Sequence, residues 1–252
     1  MIQEKPVNND LTSVKLREEY MKPKLISFKL CPFVKRAEIA LRYKAIQYEI
    51  DYIDLANPPE WFMDISPFKK VPILLVGGHV IFESTVICEY LDDAYPNKLH
   101  PDDLILRAEN RSWVEFGSAC LWDSFYMTVK EEKDDFCRVR EDLFIKLDQV
   151  ERVISNGPFF NGNKFSFVDV GFAPLFQLLE YIGELNPIKI TAKRHPKILE
   201  WKKQLLELKE VKDLYPPDFK ELYFEQILKR QGYLSKSLDN RKYDSSIKKR
   251  IY

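Results

Sequence analysis

Four sulfur nucleophiles occur in this 252-residue chain, Cys31, Cys88, Cys120 and Cys137. Only Cys31 stands where a thiolate would be stabilised. In "FKLCPFVKRAEIALRY" it joins an apolar run to a charged run with helical spacing, and Pro32 suits the first turn of a helix. The unpaired N–H groups and positive dipole end of a starting helix favour S⁻. Such sites lower a thiol from about 8.5 by roughly one to several units. Lys35 and Arg36 in that first turn would add to the effect. A reactive, depressed thiol is the expectation; the alternative is a small apolar cysteine closing a buried strand. Cys88, Cys120 and Cys137 lie in helical patterns without a Cys-x-x-Cys or histidine partner, so they read as bystanders and no metal site is expected. Val34 occupies the place of a second cysteine. Internal resolution of a mixed disulfide is therefore closed at that spacing, and an external small thiol must release Cys31.

Two further stretches supply groups that would hold such a thiol. Val71-Pro72 opens a strand in "KKVPILLV". A cis peptide there would present the Val71 backbone to an extended, peptide-like ligand; the alternative is an ordinary trans proline at a strand edge. In "FESTVICEYL", Glu83 and Ser84 stand where a strand gives way to a helix. Ser84 can donate to a carboxylate beside helix N–H groups and Glu83 can accept from an ammonium. Simple helix capping is the alternative for both. In "FSFVDV", Ser166 as N-cap with Asp169 three residues on resembles a capping box, a structural role.

These residues need elements to position them. "KLISFKL" (24–30) reads as a strand, 33–44 as an amphipathic helix, and "QYEIDYIDL" (47–55) as a second strand. "VPILLV", "GG" and "HVIFES" read as a hairpin, and "STVICEYLDDAYP" as a helix ending before Pro96. Strand signals then stop, and helical patterns run from about 103 to 230. The parse is α/β plus all-α, a βαβ-ββα domain over 23–98 followed by an all-helical domain over 103–233. Residues 1–22 read as a flexible lead-in and 234–252 as a polar, basic tail. The 39 basic and 39 acidic side chains cancel, so no bulk attraction to nucleic acid or anionic lipid is expected. No stretch approaches a membrane span, and the first twenty residues lack a signal-peptide core. A cytoplasmic protein with free thiols is expected.

Taken in order, "CPFVKRAEIAL", "DLANPPEWF", "SPFKKVPIL", "FESTVICEYLDDAYP" and "FSFVDVGFAPLF" resemble the glutathione transferase superfamily, most closely its omega-like, cysteine-containing branch. The resemblance spans about Lys24 to Tyr233. It implies a thioredoxin-like N-terminal domain that binds glutathione as co-substrate, and a homodimer. By position, Cys31 would form a mixed disulfide with glutathione and the Val71 backbone, before cis-Pro72, would pair with its cysteinyl part. Glu83 and Ser84 would hold the γ-glutamyl end and Phe33 would shape the pocket. Where omega-like enzymes often carry a lysine toward the glycine carboxylate this chain has Pro58, leaving Lys69 or Lys70 to compensate. The implied activity is a thiol transferase or reductase, including dehydroascorbate-like substrates, acting on a small electrophile or disulfide. The alternatives are conventional conjugation, with Ser27 as the nearest hydroxyl, and a non-catalytic regulatory or binding protein on the same scaffold. Tyr126, Phe172, Phe176, Phe219 and Tyr223 are candidates for an apolar second-substrate wall between the domains.

Overall fold

The computed structural model describes residues 21–188 and 190–239. All but residues 21 and 22 of the expected lead-in, and the expected tail beyond Asp239, lie outside the described residues. The first half runs β1 (Lys24–Ser27), α1 (Pro32–Tyr43), β2 (Glu49–Tyr52), α2 (Glu60–Ile65), β3 (Ile73–Val76), β4 (His79–Phe82) and α3 (Ser84–Ala94). Strand order is β2-β1-β3-β4. β1 pairs with β2 in parallel, Leu25 opposite Ile50, and with β3 antiparallel, Leu25 opposite Leu74. The β3–β4 hairpin turns on Gly77 and Gly78 at φ 55° and 76°, the two positive values that a tight hairpin turn requires. This is the expected thioredoxin-like βαβ-ββα order. The short α2 is an addition that the sequence pattern did not reveal.

The second half is helical: α4 (Leu104–Val129), α5 (Lys133–Val153), α6 (Phe167–Leu185), α7 (Pro196–Glu207), α8 (Lys209–Lys212), α9 (Phe219–Arg230) and α10 (Tyr233–Asp239). The tail expected from residue 234 is corrected by α10, whose Leu234 is fully buried and whose Tyr233 ring lies 5.1 Å from Phe136. A helix that is apolar nearly all round belongs in a core, and α6 accordingly lies at the centre of this half, packed on α1, α4 and α7. Ser166 and Asp169 form the anticipated capping box at its start. The Asp169 carboxylate accepts from the Ser166 N–H and hydroxyl, the Phe160 N–H and the Trp201 indole, at 2.6–2.9 Å.

α1 is the helix expected over 33–44, but the amphipathic pattern does not give it a solvent face at Lys35, Arg36 and Glu38. Every residue from Val34 to Leu41 is buried. The charged face meets the helical half instead of water. Lys35 Nζ pairs with Glu38 at 2.6 Å and donates to the Leu214 carbonyl at 3.2 Å. Arg36 donates to the Gly171 carbonyl at 3.0 Å and to Ser118 Oγ at 2.7 Å. Buried charge is tolerated when its hydrogen bonds are made, and here those bonds tie the two halves together.

Candidate active site

A cleft of about 690 Å³ opens between the loops at one end of the sheet and helices α4 and α9. Cys31 reaches it because β1 ends at Ser27 and α1 begins at Pro32. Cys31 is the N-cap of α1 in extended conformation (φ −79°, ψ 114°), and its N–H donates to the Phe28 carbonyl at 3.0 Å. Its Sγ lies 3.9 Å from the Val71 carbonyl oxygen. The Val71–Pro72 peptide is cis, and Val71 precedes the β3 ladder, which begins at Ile73.

The thiol does not behave as its position suggests. Burial pushes the Cys31 thiol up, and that outweighs the pull of the Val34 and Phe33 N–H groups and of the Lys35 and Arg36 charges. The expectation of a depressed pKa is therefore corrected. The helix start is present, but the partial burial of Cys31 thins the water that would share in stabilising S⁻. Arg36 suffers in the same way: burial lowers its guanidinium to about 10, and its second terminal nitrogen has no partner. Cys88 and Cys120 are buried and raised to about 12, which leaves them inert at neutrality.

Phe33, Lys70, Val71, Glu83 and Ser84 line the same cleft as Cys31. Glu83 adopts φ 71° and ψ 120°, a conformation rare for a residue with a side chain, and its carboxylate does not cap α3. Among the described residues it has no ion-pair partner. Such strained conformations cluster at ligand clamps and active sites. Ser84, at the first position of α3, is buried. Lys69, at φ 54°, also lines the cleft, and Lys70 Nζ stands 5.9 Å from the centre of the Trp122 ring. Pro58 is not among the lining residues and Ser27 is buried within β1, so neither contributes a group here.

Of the five aromatics expected in a second-substrate wall, only Tyr223 lines the cleft. Phe172 and Phe176 are fully buried against Trp201, with ring centres 5.1 and 4.9 Å away. Phe219 is buried between Tyr215 and Tyr181. Tyr126 is exposed on α4 beside Trp122, with ring centres 6.1 Å apart, outside the cleft. The wall is instead made by Leu121, Trp122, Phe125 and Leu178, with Arg230 at the end of α9. The signal that points to them is the spacing of Ser118, Trp122 and Phe125 along one face of α4, which leaves two large aromatics exposed. Among the described residues, no cluster of histidine, cysteine, aspartate and glutamate is arranged to hold a metal ion, and no helix is long and apolar enough to cross a membrane.

The family model "Glutathione S-transferase, N-terminal domain" matches residues 25–99, and "Glutathione S-transferase, C-terminal domain" matches residues 119–215. Glutathione S-transferase omega-1 of Rattus norvegicus is 39% identical over 169 residues, covering 65% of this chain and 69% of that one. The probable glutathione S-transferase parC of Nicotiana tabacum is 30% identical over 82% of this chain and 95% of its own length. Among solved structures, glutathione transferase Omega 3C from Trametes versicolor superposes with a TM-score of 0.70 at 25% identity, covering 80% of this chain and 93% of that one. A rice glutathione transferase in complex with glutathione superposes with a TM-score of 0.74 at 26% identity, covering 83% of this chain and 98% of that one. With both halves of the fold matched, and the thiol, the cis-proline and the glutamate–serine pair lining one cleft, this chain belongs to the glutathione transferase superfamily as an omega-like member.

Proposed function

We propose that the chain is a glutathione-dependent thiol transferase or reductase whose nucleophile is Cys31. The observation that carries this reading is the place of the Cys31 sulfur, 3.9 Å from the Val71 carbonyl, in a cleft that also holds the unpaired Glu83 and the buried Ser84. Glutathione laid along that wall would pair its backbone with Val71. Its γ-glutamyl ammonium would face Glu83, its γ-glutamyl carboxylate Ser84 and its glycine carboxylate Lys69 or Lys70. In the first step the Cys31 thiolate attacks the glutathionyl sulfur of a disulfide GS–SR. A Cys31–SG bond forms, the S–S bond breaks and RS⁻ leaves. A second glutathione thiolate then attacks the glutathionyl sulfur, giving GSSG and the free Cys31 thiolate. Val34 closes the internal alternative. The same reading includes a homodimer in the cytoplasm, where glutathione keeps thiols reduced.

Intact-mass measurement after incubation with oxidised glutathione tests it. One glutathione adduct on Cys31 is expected, with Cys31→Ala losing disulfide exchange while its circular dichroism and melting stay as in the wild type. An adduct only on Cys137, or exchange that survives Cys31→Ala, overturns the reading.

One observation favours conjugation as a second reading. A Cys31 thiol that stays protonated can donate its S–H to a bound glutathione thiolate, as a hydroxyl would. Under that reading Cys31→Ser keeps activity toward an activated aryl halide; under the exchange reading it loses disulfide turnover.

A further inference from the structure

The second-substrate end of the cleft is walled mainly by Leu121, Trp122, Phe125 and Leu178, with the neutral polar groups of Ser118, Ser124 and Tyr223 among them and one cation, Arg230. Arg230 is the last residue of α9, and its guanidinium lies 4.8 Å from the centre of the Phe125 ring. One terminal nitrogen donates to Thr128 Oγ1. Arg230 lines the cleft beside Tyr223, Leu121 and Trp122. Among the described residues no carboxylate pairs with it, and burial lowers its pKa; the Tyr223 phenol beside it is held in its neutral form by burial and supplies no counter-charge. The other charged groups of the cleft are elsewhere. Glu83, Lys69 and Lys70 belong to the glutathione wall. Glu115 precedes Phe125 by ten residues on α4, roughly 15 Å of helix, and its charge is felt by Arg36.

The turn that follows α9 holds Arg230 in this position. Gln231 takes the left-handed conformation (φ 55°), the Tyr233 N–H donates to the Lys130 carbonyl at 2.6 Å, and a Cβ on Gly232 would lie 2.8 Å from the Thr128 carbonyl oxygen. The turn after α9 is thereby clamped against the end of α4. An arginine in a last helical turn often serves the helix dipole alone. This one instead reaches across to Phe125 and Thr128 where it lines the cleft, and among the described residues its remaining N–H donors have no hydrogen-bond partner. A half-buried guanidinium without a counter-charge is costly to keep, and an incoming anion would supply what it lacks.

We propose that Arg230 makes this enzyme selective for second substrates carrying a carboxylate or sulfonate, the anion docking on the guanidinium while the rest of the group packs on Trp122 and Phe125. The proposal rests on the glutathione site described above, although it does not require that Cys31 be the nucleophile. In the exchange reaction the anion would sit on the R group of GS–SR, so that RS⁻ leaves along the Arg230 wall while the glutathionyl sulfur passes to Cys31.

Two measurements test it. The first uses non-reacting thioethers, S-carboxyethyl-glutathione against S-hydroxyethyl-glutathione, by calorimetry. Wild type is expected to bind the carboxylate form more tightly, and Arg230→Gln to reduce the affinity ratio about tenfold, the size of a lost charge-assisted hydrogen bond. Arg230→Lys should keep most of the ratio. The second compares kcat/KM for the glutathione mixed disulfides of mercaptopropionate, mercaptoethanol and cysteamine, expected in that order of preference. An affinity ratio unchanged in Arg230→Gln overturns the proposal. So does a wild type that prefers the cysteamine disulfide, a result that stands even if the glutamine variant fails to fold. If neither thioether binds, the glutathione site itself is overturned. If both bind with the expected ratio while no disulfide turns over, only the exchange reading fails.

Discussion

Cys31 is caught between a helix start that favours its thiolate and an apolar surround that does not. The sequence shows only the first of these. Pro32, Lys35 and Arg36 are legible as neighbours, but the burial that outweighs them exists only in the folded chain, where Cys31 meets Val71 forty residues on. Lys35 pairs with Glu38, and Arg36 gives two of its three nitrogens to Gly171 and Ser118. The consequence has a definite sign. A raised pKa means that Cys31 is mostly thiol at neutrality, so alkylation of the glutathione-free protein by iodoacetamide should accelerate with pH and keep accelerating above the ordinary thiol range. Cys31→Ala supplies the background rate of the other thiols. A rate that is already flat by pH 7 would show a depressed thiol instead. A high-pKa sulfur remains usable, because a thiolate gains nucleophilicity as its pKa rises. At this scale Glu83, Ser84, Val71 and Cys31 were legible because each interrupts a local pattern. Trp122, Phe125 and Arg230 were not, because their role depends on two helices about a hundred residues apart meeting at one wall.

The elements were read correctly where their signals are local. β1, β3 and β4 emerge from apolar runs, Gly77 and Gly78 mark the hairpin, and Ser166 with Asp169 marks the start of α6. The aromatic stripe of α6 shows the limit of such reading. Phe172 and Phe176 have the spacing of a helix face, but periodicity does not say whether that face meets a ligand or Trp201. The structure gives them to Trp201, which is itself fixed by its indole bond to Asp169. Asp169 is thus the residue on which the start of α6 depends. It is fully buried, and burial lifts its carboxyl to about 6 despite the donors around it, so it is ionised at neutral pH with all of them engaged. Asp169→Ala strands the Phe160, Ser166 and Trp201 donors. A loss on the order of 3–5 kcal/mol is expected, since each stranded buried donor costs about 1–3. Urea unfolding measures this directly. A loss below about 1 kcal/mol would mean that water replaces the carboxylate and that the capping box is incidental.

At the scale of the whole molecule, the cleft exists only because the α/β half and the helical half keep a fixed relation. Lys35 and Arg36 on α1 supply ties on one side and Glu89 on α3 supplies another. Glu89, on α3, accepts from Arg111 at 2.7 and 2.8 Å, from Arg107 at 3.2 Å and from His100 at 2.8 Å, which joins α3 to α4 and to the segment between them. Partial burial alone would raise this carboxyl, but the Arg111, His100 and Arg107 bonds reverse the effect and hold it well below the usual glutamate range. A folded pKa below the unfolded value, about 4.3, gives stability that is fully present above that pH and is lost as pH falls through and below it. One proton taken up on unfolding sets a slope approaching 1.4 kcal/mol per pH unit. The pair is partly solvated, so at neutrality Glu89→Gln should cost only about 1–3 kcal/mol. The gap between wild type and variant should close as the pH of the urea titration is lowered from 5 to 3. Because the two helices it joins each contribute residues to the cleft, the variant should also bind the S-substituted glutathiones more weakly at neutral pH, where the fold is intact. A gap that stays constant across that pH range would show that Glu89 is not the acid-sensitive tie, and undiminished binding would show that the two halves hold their relation through the α1 bonds of Lys35 and Arg36 without it.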